Sequence, residues 1–260
     1  MSKHIPRKRF GQHFLCDQDI IAAIIRAIHP QSGDNLVEIG PGLGALTVPL
    51  MAHLNHFHVV ELDRDIIARL QRTYSADQLT IHAGDALAFD FASLGDGLRI
   101  IGNLPYNIST PLLFHLAEFA PAIIDMHFML QKEVVERMTA RPATHDYGRL
   151  SVMLQYRFDM ESLFDVPPAA FDPPPKVDSA IVRMRPRSHA DMLAGSIDAL
   201  AHVVSSAFAQ RRKTLRNTLA GVLTPADFIH LDIDPQRRAE TVSVADFVRI
   251  ANHIQPKETQ

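Results

Sequence analysis

A buried strand runs into a glycine loop in the stretch Asn35-Leu36-Val37-Glu38-Ile39-Gly40-Pro41-Gly42-Leu43-Gly44. The residues from about Ala45 to Leu54 follow this loop directly and have the apolar spacing of a helix. A strand, a glycine loop and a helix in this order are typical of nucleotide-binding α/β domains, because glycines let the backbone approach a ligand closely. The stretch therefore predicts an α/β fold with a ligand at the end of this strand.

Strands and helices alternate on both sides of this unit. A helix with isoleucines at helical spacing is predicted from about Ile20 to Ile28. The later predicted strands are 57–61, 79–82, 98–101 and 123–130, and the predicted helices among them are 64–74, 111–119 and 132–138. This alternation predicts a parallel sheet with right-handed crossovers. Two more apolar segments, 150–158 and 180–184, are predicted to complete the sheet as strands.

The pattern changes beyond about Arg187, where every periodic segment has helical spacing. These segments are 192–208, 214–223, 225–231 and 244–253. We therefore expect two domains: a Rossmann-like α/β domain over residues 1–187, which includes a basic N-terminal segment, and a small α-helical domain over residues 188–260.

The composition excludes several classes of protein. With 47% hydrophobic and 21% charged residues, the chain has enough apolar material for a sizeable core. The single cysteine, Cys16, excludes an internal disulfide framework and a zinc site built from cysteines. No apolar run is long enough to cross a membrane, and the first residues lack the apolar core of a signal peptide. We expect a cytoplasmic protein that does not bind membranes.

Two carboxylates extend the nucleotide-binding pattern. Glu61 ends the strand after the glycine loop and can accept hydrogen bonds from ribose hydroxyls, which leaves NAD and S-adenosylmethionine both possible. The last glycine of the dinucleotide fingerprint is replaced by Ala45, a residue which that fingerprint tolerates. Asp85 follows the third strand, where it can accept a hydrogen bond from an adenine amino group. Together with the turn described next, these features favour S-adenosylmethionine.

The turn Asn103-Leu104-Pro105-Tyr106 follows the next strand and precedes a helix start at Ser109-Thr110-Pro111. Pro105 restricts the backbone of Leu104, so that the Asn103 side-chain oxygen and the Leu104 carbonyl oxygen can be aimed together at the two protons of an amino group. Tyr106 offers a flat face on which a base could stack. Asn and Pro are also ordinary turn residues, so the turn alone leaves both interpretations open.

Basic residues are clustered in two segments, although the formal net charge of the chain is −3. One cluster is Arg7, Lys8 and Arg9, and the other is Arg211, Arg212, Lys213 and Arg216. Such clusters are usually solvated surfaces, but their distribution here also suits contacts to nucleic-acid phosphates. Phe171 is a further candidate for base stacking, with packing in its loop as the alternative.

Several long motifs resemble one family of enzymes. They are Arg7-Lys8-Arg9-Phe10-Gly11-Gln12, Val37-Glu38-Ile39-Gly40-Pro41-Gly42-Leu43-Gly44, Asn103-Leu104-Pro105-Tyr106-Asn107-Ile108-Ser109, Phe128-Met129-Leu130-Gln131-Lys132-Glu133-Val134, Pro173-Pro174-Pro175-Lys176-Val177-Asp178-Ser179 and the segment 207–217, which includes Gln210-Arg211-Arg212-Lys213-Thr214-Leu215-Arg216-Asn217. The chain resembles, over nearly its whole length, the small-subunit ribosomal RNA adenine dimethyltransferases of the KsgA family.

The resemblance implies a Rossmann-like methyltransferase domain followed by a helical domain that binds RNA. The implied reaction transfers methyl groups from S-adenosylmethionine to N6 of two adjacent adenines in a hairpin near the 3′ end of 16S rRNA, within the 30S subunit or its precursor. It assigns cofactor contacts to Leu15, Gly40, Glu61, Asp85 and Asn103, and Gly42 of the glycine loop is a further candidate for binding the cofactor. Where the family commonly has asparagine, this chain has His13, whose ring can also donate and accept hydrogen bonds. We expect a monomer without a metal ion.

Two other functions compete with this interpretation. A 23S rRNA adenine dimethyltransferase of the antibiotic-resistance type would share the glycine loop and the turn, but the proline-rich segment 171–179 and the segment 210–217 argue against it. The chain could also act mainly by binding immature small subunits, as an assembly checkpoint.

Overall fold

The computed structural model describes residues 13–188 and 193–254, and their contacts divide them into two compact units. The first unit comprises the described residues up to Val135 together with Met160–Pro186. The second unit comprises Glu136–Asp159 and the described residues from Arg187 onward. The predictions for Arg7, Lys8 and Arg9 lie outside the described residues.

The elements are numbered here in chain order. The strands are β1 (Phe14–Leu15), β2 (Asn35–Ile39), β3 (Phe57–Glu61), β4 (Leu79–Ala83), β5 (Leu98–Asn103), β6 (Ile123–Gln131), β7 (Phe158–Val166), β8 (Phe171–Asp172) and β9 (Ser179–Pro186). The helices are α1 (Gln18–Ile28), α2 (Thr47–Leu50), α3 (Arg64–Thr73), α4 (Ser109–Glu118), α5 (Lys132–Thr139), α6 (Arg149–Arg157), α7 (Ile197–Ala207), α8 (Leu215–Thr218), α9 (Pro225–His230) and α10 (Val244–Ile254).

The main sheet has seven strands in the order β4-β3-β2-β5-β6-β9-β7. The five strands from β4 to β6 pair in parallel, and β9 pairs antiparallel to β6. The neighbouring strands β2, β3 and β5 therefore all end at the same edge of the sheet. The predicted α/β architecture is confirmed, and this edge is where open α/β sheets bind ligands.

Helix α1 illustrates how the local sequence sets an element. The Asp17 side chain caps the first turn by accepting hydrogen bonds from the backbone N–H groups of Asp19 and Ile20. One face buries Ile21, Ile24, Ile25 and Ile28. The helix ends at His29, which has a left-handed φ of 51°, just before Pro30. Capping and apolar spacing together made this helix predictable.

One arginine, Arg99, connects several segments at the amino end of the sheet through hydrogen bonds. The Arg99 guanidinium donates to Asp34 at 2.6 Å, to Asp125 at 2.8 and 3.0 Å, and to the carbonyl oxygen of Ile28 at 2.6 Å. Both aspartates and the arginine are largely buried. This network joins α1, β5 and β6 at the end of the sheet opposite the glycine loop.

Residues 150–157 of the predicted strand 150–158 form helix α6, and only Phe158 belongs to a strand, β7. Helix α6 buries side chains on most of its faces, so its apolar run lacks a clear helical period. Val152, Met153 and Tyr156 belong to the same buried cluster as the apolar residues of α7 and α10. For this reason residues 136–159 belong to the helical unit, whereas the predicted division at residue 187 had assigned them to the α/β domain.

Other differences concern the lengths of elements. The predicted helix 45–54 contains only a short α-helix, Thr47–Leu50, flanked by turns. The predicted helix 214–223 is also short, Leu215–Thr218, and α7 begins at Ile197 instead of residue 192. Strands β1 and β8, which pair antiparallel, were not predicted because two-residue strands leave no periodic signal. Within 13–188 and 193–254, every helix is too short or too polar to span a bilayer.

Candidate active site

A cleft of about 260 Å³ opens at the carboxyl ends of β2, β3, β4 and β5. It is lined by residues that follow these strands and by residues of β1 and β8. Of the predicted cofactor-binding and turn residues, the cleft brings together His13, Leu15, Gly40, Gly42, Glu61, Asp85, Asn103, Leu104, Pro105 and Tyr106. Residues that the sequence analysis assigned to the cofactor and to the turn thus lie around one cleft, and their binding roles stay predictions.

The glycine loop brings backbone close to the cleft. Gly42 has a φ of +55°, which L side chains rarely adopt, and a Cβ atom at this position would lie 3.4 Å from the Phe14 ring. Gly40 also has a positive φ, and its N–H donates to the carbonyl oxygen of Val60. The loop thus places backbone without side chains in the lining of the cleft at the end of β2.

Glu61 is fixed at the end of β3 by its own backbone neighbours. One carboxylate oxygen accepts hydrogen bonds from the N–H groups of Leu62 at 2.8 Å and Asp63 at 2.7 Å. Burial raises the pKa of Glu61, although these N–H groups oppose the change. The side chain is thus held in one orientation, as expected of a group that accepts hydrogen bonds from ligand hydroxyls.

Glu38 is a second buried carboxyl group beside the cleft. Its residue is 2% exposed, and the Thr47 hydroxyl donates to Oε2 at 2.7 Å. Burial and, to a lesser extent, the nearby Glu61 raise the pKa of Glu38 to about 7, while the bond from Thr47 opposes this. A positive charge in the cleft would favour the ionised form of Glu38, and would thus oppose the effects of burial and of the nearby Glu61 on its pKa.

The charge of the cleft discriminates between the two cofactors that the glycine loop allows. Its charged lining consists of Glu38, Glu61, Asp63 and Asp85, and no lysine or arginine of the described residues lines it. An acidic lining opposes the diphosphate of NAD and suits a ligand with a positive charge. The glycine backbone, the fixed Glu61 and the acidic lining therefore fit S-adenosylmethionine, which carries a sulfonium.

The turn after β5 depends on Gly102, a residue to which the sequence predictions gave no role of its own. A Cβ atom on Gly102 would lie 2.7 Å from the carbonyl oxygen of Ile39, closer than Cβ atoms approach other atoms in real structures. Gly102 therefore allows β5 to run close beside β2 where both strands enter the cleft. In sequence it precedes Asn103 directly, and this adjacency is the signal that could have identified it.

Asn103 is oriented by the segment before α1. Its side-chain Nδ2 donates to the carbonyl oxygen of His13 at 3.2 Å. Because the amide nitrogen is engaged there, the amide oxygen is the atom left for an incoming amino group. Leu104 is fixed in the same turn, since its N–H donates to the carbonyl oxygen of Met129 at 3.2 Å.

Tyr106 is half-buried at the side of the cleft, and its hydroxyl forms a hydrogen bond with the Ser179 hydroxyl at 2.9 Å. Burial raises the pKa of Tyr106, partly opposed by this bond. The His13 ring lies nearly parallel to the Tyr106 ring, with an interplanar angle of 25° and 6.1 Å between the ring centroids.

The whole chain also matches proteins of known family. The family model of ribosomal RNA adenine dimethylases matches residues 3–256. The chain belongs to the ribosomal RNA adenine dimethylase family. It is accordingly an S-adenosylmethionine-dependent methyltransferase of ribosomal RNA, which confirms the resemblance described above.

Individual relatives agree with membership of the dimethylase family. The chain is 66% identical over 251 residues to ribosomal RNA small subunit methyltransferase A of Thiobacillus denitrificans, covering 96% of this chain and 98% of that protein. It is 63% identical over 258 residues to the protein of the same name from Chromobacterium violaceum, covering 99% and 98%.

Among solved structures, the fold of this dimethylase is similar to a dimethyladenosine transferase from Plasmodium falciparum, with a TM-score of 0.78 and 27% identity, covering 92% of this chain and 96% of that one. It is also similar to the 23S rRNA methyltransferase ErmE, with a TM-score of 0.71 and 25% identity, covering 93% and 99%. The α/β architecture of the dimethylase is thus shared with both.

The predicted RNA-binding residues of the dimethylase lie in different surroundings. Arg211, Arg212, Lys213 and Arg216 are exposed on the helical unit. Arg211 donates to the carbonyl oxygen of His145 and lies 3.7 Å from the Glu240 carboxylate. Phe171 lines the cleft but is 4% exposed and packs in the core beside Leu15, its partner in the β1–β8 pair. The predicted RNA contacts and the stacking role of Phe171 stay predictions.

Three further residues beside the cleft or the turn of the dimethylase lie in or next to motifs quoted above but received no individual role from the sequence: Glu38, Gly102 and Ser179. A carboxylate inside the apolar run Val37–Ile39 was the available signal for Glu38. No local signal identifies Ser179, because its contact with Tyr106 joins residues 73 positions apart in the chain. Among the described residues, no three His, Cys, Asp or Glu side chains converge as metal ligands would.

Proposed function

We propose that this dimethylase transfers methyl groups to N6 of two adjacent adenines in the hairpin near the 3′ end of 16S rRNA, acting on the 30S subunit or its precursor. One observation carries the proposal: the turn Asn103–Tyr106 borders the acidic cleft directly, so a methyl donor and a base with an amino group would meet at the end of β5. We further propose that it acts as a monomer in the cytoplasm.

Residues at the strand ends would hold the donor. Glu61 accepts hydrogen bonds from the ribose hydroxyls, Asp85 accepts one from the adenine amino group, and the backbone of Gly40 and Gly42 borders the rest of the molecule. His13 and Leu15 line the same cleft and would also contact the donor. S-adenosylmethionine, when bound, supplies the methyl group as an electrophile on a positively charged sulfur.

The turn would hold the acceptor. The side-chain oxygen of Asn103 and the carbonyl oxygen of Leu104 accept hydrogen bonds from the two N6–H groups. These bonds favour a more tetrahedral nitrogen, with its lone pair directed at the methyl group. Tyr106 stacks on the extruded base. The turn contains no carboxylate or histidine, so positioning and not proton abstraction supplies most of the rate.

The test is transfer of labelled methyl groups from S-adenosylmethionine to 30S subunits that lack the two dimethyladenines. We expect label in N6,N6-dimethyladenosine of 16S rRNA, and none in 50S subunits or DNA. Labelling of 50S subunits alone would contradict the proposal and favour the 23S alternative, to which the likeness to ErmE gives some weight.

A second measurement separates catalysis from a checkpoint role. Asn103→Ala should abolish transfer, because it removes one of the two acceptors for N6. Binding of the variant to precursor 30S particles, measured by sedimentation, should persist if the protein also acts by binding.

A further inference from the structure

Ser179 is a fully buried hydroxyl that contacts the proposed base-stacking residue. It is the first residue of β9, it is 0% exposed, and its Oγ lies 2.9 Å from the Tyr106 hydroxyl. The proposed methyl transfer assigns no role to a hydroxyl at this position, and a buried polar group that has no partner is costly. The contact between Ser179 and Tyr106 therefore needs an explanation in the site itself.

The position of Ser179 is rigid. It lies in register with Gln131 at the end of β6, and the N–H of Lys132 donates to the carbonyl oxygen of Asp178 at 3.0 Å. The start of β9 is thus fixed to the strand that neighbours β5. The Ser179 hydroxyl consequently offers Tyr106 a hydrogen-bond partner that belongs to the sheet and not to the turn.

The Tyr106 ring also has His13 as a neighbour, and His13 contacts the proline-rich segment 173–179 that ends at Ser179. The His13 Nδ1 lies 2.8 Å from the carbonyl oxygen of Pro173, and the two rings are nearly parallel. The backbone of His13 also accepts the hydrogen bond from Asn103. Segment 173–179 therefore touches the turn at both ends: through His13 it reaches Asn103, and through Ser179 it reaches Tyr106.

We propose that Ser179 is a positioning residue that fixes the ring plane of Tyr106, and thereby the position of the target adenine during both methyl transfers. The proposal rests on the proposed function of the turn. The second transfer depends on it most, because N6 then carries a methyl group and only one proton remains to be accepted by the Asn103 and Leu104 oxygens. The Tyr106 ring plane must then supply more of the alignment.

The experiment compares Ser179→Ala with Ser151→Ala, since Ser151 is equally buried and hydrogen-bonded but lies in the helical unit. We expect Ser179→Ala to lower kcat on 30S subunits by about three- to tenfold and to raise the share of N6-methyladenosine relative to N6,N6-dimethyladenosine. The Kd for S-adenosylmethionine should stay within about twofold of the wild-type value. Ser151→Ala should leave the product ratio unchanged.

A double-mutant cycle shows whether Ser179 acts through Tyr106. Tyr106→Phe removes the same bond from the other side and should raise the monomethyl share by itself, and adding Ser179→Ala should then have no further effect. Ser179→Thr should restore the wild-type ratio. If Ser179→Ala does not fold, Tyr106→Phe alone decides, and a wild-type product ratio in that variant overturns the proposal.

The outcomes separate this proposal from the proposed function. If the wild-type protein labels no 30S subunits, the proposed function fails. If the wild-type protein is active and Ser179→Ala behaves like Ser151→Ala, or reduces kcat equally in the Tyr106→Phe background, the function stands and the positioning role is contradicted.

Discussion

The two ends of the parallel sheet differ in the partners of their buried carboxyl groups. At the amino end, the carboxylates of Asp34 and Asp125 are both paired with Arg99 at 2.6 to 3.0 Å. At the carboxyl end, Glu38 and Glu61 are buried beside each other with no lysine or arginine among the described cleft residues, and burial raises the pKa of both.

This difference indicates which end serves stability and which serves binding. A paired network satisfies its charges within the protein and loses free energy when a partner is removed. Carboxyl groups without a protein cation remain able to gain from a ligand that brings one. We infer that the carboxyl end accepts a cost in stability that the methyl donor offsets.

The largest effect on stability is expected from removing Arg99 from its network at the amino end of the sheet. Arg99→Met leaves two largely buried carboxylates without their cation and should lower the free energy of unfolding by about 3–5 kcal/mol, measured by urea denaturation. Arg26→Met, on the exposed surface of α1, is the control and should change it by less than about 0.5 kcal/mol. A loss below about 1 kcal/mol for Arg99→Met would show that the network does not stabilise the sheet.

The next prediction concerns the pH dependence of stability that Glu38 causes at the carboxyl end of the sheet. The pKa of Glu38 is about 7 in the folded protein against 4.5 for the free side chain, so the folded state binds the proton more tightly. The stabilisation by this group is complete below about pH 4.5 and is lost as the pH rises through about 7. Between these two pH values, the free energy of unfolding of the wild type should fall by on the order of 3 kcal/mol relative to that of Glu38→Gln.

The measurement is urea denaturation of both proteins from pH 4.5 to pH 8. Glu38→Gln retains an acceptor for the Thr47 hydroxyl and is therefore a matched control for the charge alone. Parallel pH profiles for the two proteins would mean that Glu38 is not held in an unfavourable ionised state.

Glu61 tests whether the carboxyl end binds the donor. Glu61→Gln should weaken the binding of S-adenosylmethionine by about ten- to a hundredfold, because hydrogen bonds to a charged acceptor are worth about 1.5–3 kcal/mol. The free energy of unfolding should not fall, since the substitution removes a charge that burial disfavours. Glu118→Gln, 74% exposed on α4, should not alter the Kd by calorimetry. Equal affinities for Glu61→Gln and wild type would remove Glu61 from the site.

The last prediction concerns the turn, where the expected effect is of the same order as for Glu61. Tyr106→Ala should reduce turnover on 30S subunits by about ten- to a hundredfold, since stacking on an aromatic ring is worth about 1–3 kcal/mol per base. Tyr106→Phe keeps the ring and loses only the bond to Ser179, so its loss should be clearly smaller. Equal losses in both variants would assign the effect to the hydroxyl and reject stacking.

Local sequence was sufficient for the parallel strands and for the binding end of the sheet. Glycines, capping residues and apolar periods act within about ten residues, and they predicted β2, α1 and the turn at Asn103. Helix α6 was missed because its side chains are buried on most faces, which hides the helical period. The contacts of Tyr106 with Ser179 and of Asn103 with His13 join distant segments, and only the fold brings them together.

Hydrogen exchange with and without S-adenosylmethionine tests most directly whether the two ends differ in function. We predict that the ligand slows exchange of backbone amides at the carboxyl end, in segments 40–46, 61–63, 84–87 and 103–106, and leaves the amino end around Arg99 and Asp125 unchanged. Protection centred on the amino end, or spread evenly over both ends of the sheet, would contradict the account.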